Sequence, residues 1–144
     1  MVWKPDVTVA AVIERDARFL LVEERIRGRL VFNQPAGHLE DGESLLEAVV
    51  REALEETAWT FLPQSLLGVY LWRSPRGHTT LRFAFHGTIR EFDARRTLDP
   101  PIVATHWFTR DEILARAAAL RSPLVLSCID DYLRGVRLPL NALS

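Results

Sequence analysis

The segment AGHLEDGESLLEAVVREALEETAW, residues 36–59, constrains this chain more than any other stretch. A loop carrying Gly37 and Gly42 leads into a run whose apolar residues recur at helical spacing, so a helix is expected over residues 43–58. Asp41-Gly42 is a suitable start, with acidic residues at the positive end of the helix. Leu45, Leu46, Val49 and Ala53 form an apolar stripe that needs a sheet to cover it. Beside the stripe, Glu52, Glu55 and Glu56 project together, because positions three and four apart share a face. Arg51 is the one basic side chain on this helix, with Glu47 and Glu55 as its i−4 and i+4 neighbours. One arginine does not neutralise so many carboxylates.

From the helix alone two readings stand, a divalent-cation site and a solvated acidic face. Oxygen-only ligands select hard ions, Mg²⁺ or Mn²⁺ rather than Zn²⁺. The preceding loop, NQPAGHLEDGE, favours the cation, since glycine permits close approach to the backbone and the loop carbonyls can turn toward the helix face.

The remaining sequence supplies the sheet. VTVAAVIE (7–14) and RFLLVEER (18–25) read as a hairpin across the polar break RDA. SLLGVYLWR (65–73) and HTTLRFAFHGTI (78–89) read as a second strand pair joined by the turn SPRG. VATHWFT (103–109) is a further strand. Two more helices are expected, at 110–120 and 123–134, the second with Ser122 as cap, Pro123 in its first turn and Gly135 as stop. Strands interleaved with helices give a mixed sheet between helices, an α/β (α+β) class.

With 144 residues and no repeat or dividing linker, one domain over 1–144 is expected. The formal net charge of -1 gives no electrostatic case for nucleic-acid or membrane partners. No apolar run approaches the roughly 20 residues of a bilayer span, and the start lacks the pattern of a signal peptide. The single cysteine, Cys128, lies in the apolar run LVLSCI and reads as a buried core residue. A cytoplasmic location fits these features.

The glycine-helix segment resembles the Nudix box, G-x5-E-x7-R-E-U-x-E-E-x-G-U, where U is bulky and apolar. Gly37, Glu43 and REALEE (51–56) keep its spacing at every charged position. Ala58 stands where the box has its second glycine, Ala53 where it has a bulkier residue, and Trp59 fills the last apolar position. VTVAAVI, NQPAGHLE and LRSPLV extend the likeness over about residues 3–140, toward Nudix phosphatases of the NudJ type.

The resemblance implies the Nudix α/β/α sandwich and Mg²⁺-dependent release of orthophosphate from nucleoside tri- and diphosphates, with Mn²⁺ as the alternative ion. It extends to hydroxymethylpyrimidine diphosphate, a thiamine precursor. The implied partner is a small nucleotide or pyrimidine diphosphate, acted on by a monomer or small homo-oligomer. Carried over by box position, Glu52 and Glu56 are the main metal ligands, Glu55 is a third or supporting one, and the Gly37 carbonyl completes the set. Arg51 orients Glu43 or Glu55. Glu52 is the expected general base, with Glu91 and His86 as alternatives from outside the box.

Three more residues are candidates for substrate binding. Arg82, in mid-strand, either meets a phosphate bidentately or faces solvent. His38 either lines the pocket or is a simple loop residue. Arg121 precedes a helix start that suits phosphate. Trp72 and Trp107 read as core aromatics more readily than as a base-stacking platform. Two other readings remain: a Nudix enzyme that releases pyrophosphate or a monophosphate, and a Nudix module that binds nucleotides without hydrolysis. The complete set of box charges argues against the second.

Overall fold

VTVAAV is apolar on both sides of the pleat, which suits a strand covered on both faces. The computed structural model, which describes residues 1–143, places it that way. Strand β1 (Asp6–Val12) buries Val9, Ala10, Ala11 and Val12 almost completely. It pairs antiparallel with β5 (Ala36–His38) and parallel with β7 (Thr79–Phe92). Strand β7 pairs antiparallel with β6 (Trp59–Arg73), so this mixed sheet runs β5-β1-β7-β6.

Helix α1 (Leu45–Thr57) covers one face. Its Ala48, Val49 and Ala53 pack with Val9, Ala11, Phe61 and Phe85. Helix α3 (Leu124–Leu133) covers the other, where Val125, Cys128 and Ile129 pack with Val12, Leu67 and Ala84. A second sheet is centred on β3 (Arg18–Ile26), which pairs with β2 (Glu14–Arg15), β4 (Arg29–Asn33) and β8 (Ile102–Phe108). The short helix α2 (Arg110–Ala115) follows β8. Among the described residues, no helix is long and apolar enough to cross a membrane.

The first expected hairpin needs correction. Strands β1 and β3 belong to different sheets, and only Glu14–Arg15 folds back on Arg18 and Phe19. Asp16 and Ala17 make that turn with φ of 52° and 61°. The second strand pair stands, but both strands are longer than expected: Trp59 to Gln64 extend β6 through two register shifts, and β7 runs on to Phe92. Strand β5 arises within the stretch read as loop, and β4, in residues given no element, ends at its first residue, Asn33. The helix expected over 110–120 ends at Ala115 and passes into a 3₁₀ turn, Ala117–Ala119. Helix α3 starts at Leu124 with Pro123 as its cap residue, one position later than expected, and the Ser122 hydroxyl accepts the Leu124 N–H at 3.1 Å.

Candidate active site

The acidic helix starts at Leu45, two residues later than expected. Ser44 is its cap: its hydroxyl accepts from the Glu47 N–H, and the Glu47 carboxylate accepts from the Ser44 N–H. At the other end Ala58 sits in the left-handed region with φ 65°, the conformation that favours glycine. Its N–H still closes the helix on the Leu54 carbonyl at 2.9 Å. The substitution at the box position therefore leaves the helix end intact.

The acids above this helix are organised by Arg51. Its Nε and Nη2 donate to the two oxygens of Glu43 at 3.0 and 2.7 Å. Its Nη1 donates to Glu52 and Glu55, both at 2.8 Å. Nη2 also donates to the His38 carbonyl at 3.0 Å, tying the helix to β5. The expected orienting role thus takes in both Glu43 and Glu55, and Glu52 as well. The Arg51 hydrogen bonds hold the Glu43 carboxyl below its ordinary range.

Glu56 lies outside the reach of Arg51. It accepts the Ala36 N–H at 2.9 Å, and burial pushes its pKa up to about 9, helped by the charges of Glu52, Glu24 and Glu55. Burial also raises Glu52, against the pull of Arg51. Gly37 is positioned against this pair: a Cβ built there would fall on the Glu52 carboxyl group. Among the described residues, no three Asp, Glu, His or Cys side chains converge as a ready ligand set. The reason is visible in the bonds just named, which turn the carboxylates toward Arg51 and the Ala36 N–H. The cluster still fits a hard cation, because buried carboxylates pushed toward protonation are what a divalent ion relieves.

Other candidates fall elsewhere. Arg82 is only 4% exposed. It faces neither solvent nor a free phosphate position: Nη1 donates to Gln34 Oε1 at 2.8 Å and Nη2 to Asn33 Oδ1 at 2.9 Å. This corrects the expectation that it meets substrate; it ties the two sheets together instead. The His38 ring stands in solvent, 4.0 Å from Asp6, and what the residue gives the cluster is its carbonyl. His86 packs against Tyr132 on the α3 side of the sheet, and Glu91 is a solvent-facing partner of Arg90, so neither reaches the acids of α1. Trp107 packs against the buried cluster beneath α1, with the Arg15 guanidinium lodged between it and Trp59. The Arg121 side chain lines a cavity of about 380 Å³ with three further arginines.

Glu24 is a member of this region that sequence reasoning missed. It is buried in mid-strand, its pKa raised by burial and pulled down by Arg121 and Arg82. The available signal was a pair of glutamates, Glu23 and Glu24, inside the strand LLVEER, one of which alternation must turn to the covered face.

The NUDIX domain profile matches residues 4–127. A NUDIX hydrolase from Nitrosomonas europaea superposes with a TM-score of 0.96 at 54% identity, covering 98% of this chain and 97% of that one. The chain belongs to the Nudix hydrolase family. Among curated Nudix relatives, Phosphatase NudJ of Escherichia coli K12 is 42% identical over 139 residues, 96% of this chain and 90% of its own length. The fold extends to the NUDIX domain of Shewanella oneidensis NrtR, solved with ADP ribose. That domain has a TM-score of 0.72 at 19% identity, over 92% of this chain and 90% of that one. The family generally uses divalent metal ions, and this Nudix hydrolase has the α/β/α sandwich expected of it.

Proposed function

We propose that this Nudix hydrolase uses Mg²⁺ to hydrolyse phosphoanhydride bonds of nucleoside tri- and diphosphates, releasing orthophosphate. The observation that carries this is the pairing of partly buried Glu52 and Glu56 beside Gly37, with a single arginine to balance five nearby acids. The name of the 42%-identical relative, a phosphatase, supports orthophosphate as the product. Hydroxymethylpyrimidine diphosphate is a second candidate substrate through the same likeness. A cytoplasmic setting fits the one free, buried cysteine.

Glu52, Glu56 and Glu55, with the Gly37 carbonyl, would hold the ion. When bound, the ion supplies charge neutralisation on the phosphoryl oxygens. Arg51 holds Glu52 and Glu55 side by side through its Nη1, and loading the ion would require both carboxylates to turn part-way from the arginine toward it. Glu52 is also the candidate general base, through the oxygen that is not bonded to Arg51.

The test is product analysis across nucleoside tri- and diphosphates and hydroxymethylpyrimidine diphosphate, in Mg²⁺ and in EDTA. Metal-dependent orthophosphate is the expected result. Pyrophosphate as the product would move the enzyme to the internal-cleavage class of the family. Nucleotide binding without turnover would overturn the hydrolytic reading.

A further inference from the structure

The acids on α1 account for a metal and one reacting phosphoryl group. They leave the rest of a polyphosphate without a partner. The fold gathers a second concentration of charge, of opposite sign. Arg27 and Arg29 flank the β3–β4 turn, Arg76 lies in the β6–β7 turn, and Arg121 precedes α3. These three separate parts of the chain bring their arginines to one cavity of about 380 Å³, over a floor that includes Ile26 and Val31. No carboxylate lines that cavity. Among the described residues, none of the four arginines pairs with an acid. Four like charges around one apolar floor repel each other until an anion enters, and guanidinium groups match phosphate oxygens in geometry as well as charge.

The strand register connects this cavity to the acidic site. Ile26 stands opposite Arg29 and Glu24 opposite Val31, so alternation puts all four on one face of the second sheet. Glu24 thus stands opposite Val31 of the cavity floor, one pair and about 7 Å along from Ile26 and Arg29. From there its charge acts on Glu56, while that of Arg121 acts on Glu24. Glu24, buried and paired with the cavity-lining Val31, therefore links the arginine side of the sheet to the acids of α1.

We propose that Arg27, Arg29, Arg76 and Arg121 form a subsite for the phosphates of the substrate that are not cleaved. The subsite makes the number of phosphates, beyond the metal requirement, a determinant of substrate rank. This rests on the hydrolase reading above. A triphosphate reaches the arginines with more charge than a diphosphate does, so it gains more from them.

The experiment compares the wild-type chain with the Arg29→Gln/Arg76→Gln double variant, whose positions lie away from the α1 acids. Calorimetry with inorganic tripolyphosphate in EDTA reads the subsite without metal or turnover. Tripolyphosphate is expected to bind the wild type more tightly than orthophosphate does, and to bind the variant about tenfold more weakly. With Mg²⁺, the ratio of triphosphate to diphosphate kcat/KM is expected to fall about tenfold, mostly through KM. An unchanged ratio together with unchanged tripolyphosphate binding would overturn the subsite, as would absence of tripolyphosphate binding to the wild type. A wild-type enzyme that hydrolyses no nucleotide would refute the hydrolase reading instead, and the EDTA titration would still decide whether the arginines take a polyphosphate.

Discussion

The carboxyl group of Glu52 occupies the space that a side chain on residue 37 would fill, so Gly37 and Glu52 fit only as a pair. The obstructing atoms are the end of a flexible side chain, which can swing away at small cost to the fold. Gly37→Ala is therefore expected to melt within a few degrees of the wild type while its metal-dependent kcat/KM falls about 10- to 100-fold. Thermal melts and metal titration of activity check this. Wild-type activity in Gly37→Ala would show that Glu52 need not lie against the β5 backbone.

Arg51 joins Glu43, Glu52 and Glu55 and the His38 carbonyl. Removing it leaves these acids facing one another. Arg51→Ala is expected to lose about 2 kcal/mol of stability in EDTA, with part of the loss recovered on adding Mg²⁺, because a cation replaces the missing charge. Arg51→Lys should recover little, since an ammonium does not reproduce the fork that spans both Glu43 oxygens. Urea unfolding with and without Mg²⁺ measures both effects. A destabilisation indifferent to Mg²⁺ would argue against a shared cation position.

Glu56 sets a pH dependence. The unfolded chain loses this proton near 4.5, whereas the folded chain keeps it to about 9. Between those values the unfolded state binds fewer protons, so stability in EDTA falls as pH rises and the loss is complete above about 9. The fall should be on the order of a few kcal/mol and absent in Glu56→Gln, whose amide stays neutral. Mg²⁺ should oppose it, since the ion binds the deprotonated carboxylate. Denaturation midpoints across this pH range provide the readout, and a flat profile in EDTA would contradict the burial of an unpaired carboxyl.

Ala58 tests the one box position that departs in backbone preference. Glycine there relieves the left-handed strain, but it loses a buried methyl group and loosens the unfolded chain. These effects oppose one another, so Ala58→Gly should change stability by less than about 1 kcal/mol, with metal-dependent activity kept. Melting and a single kcat/KM suffice.

The acidic helix was legible because its information is local. Spacing alone put Glu52, Glu55 and Glu56 together, and its observed ends lie within two residues of the expected ones. The turn at SPRG was legible for the same reason: Gly77 takes φ 86° and its N–H closes on the Ser74 carbonyl. What failed depends on distance along the chain. Residues 7–14 and 18–25 look like a hairpin because a polar break separates two apolar runs. The pattern does not record that the chain changes sheets at Ile13, where the Ile13 carbonyl accepts the Leu20 N–H. Strand β5 is three residues long and follows a proline, so it carried no periodic signal. Arg82 looked like a phosphate ligand because its partners, Asn33 and Gln34, lie 49 and 48 residues away.

The parallel pairing of β1 with β7 joins Asp6 to Thr80 and Val12 to His86. Strand β5, which carries Gly37, is held by β1, and α1 rests on the sheet that β1 and β7 complete. Closing so long a loop is entropically unfavourable and slow. The carboxylate cluster is encoded in the first 56 residues, yet it has no rigid platform until residue 86 arrives. In a chain emerging from the ribosome, the acids are made early and become an active centre late.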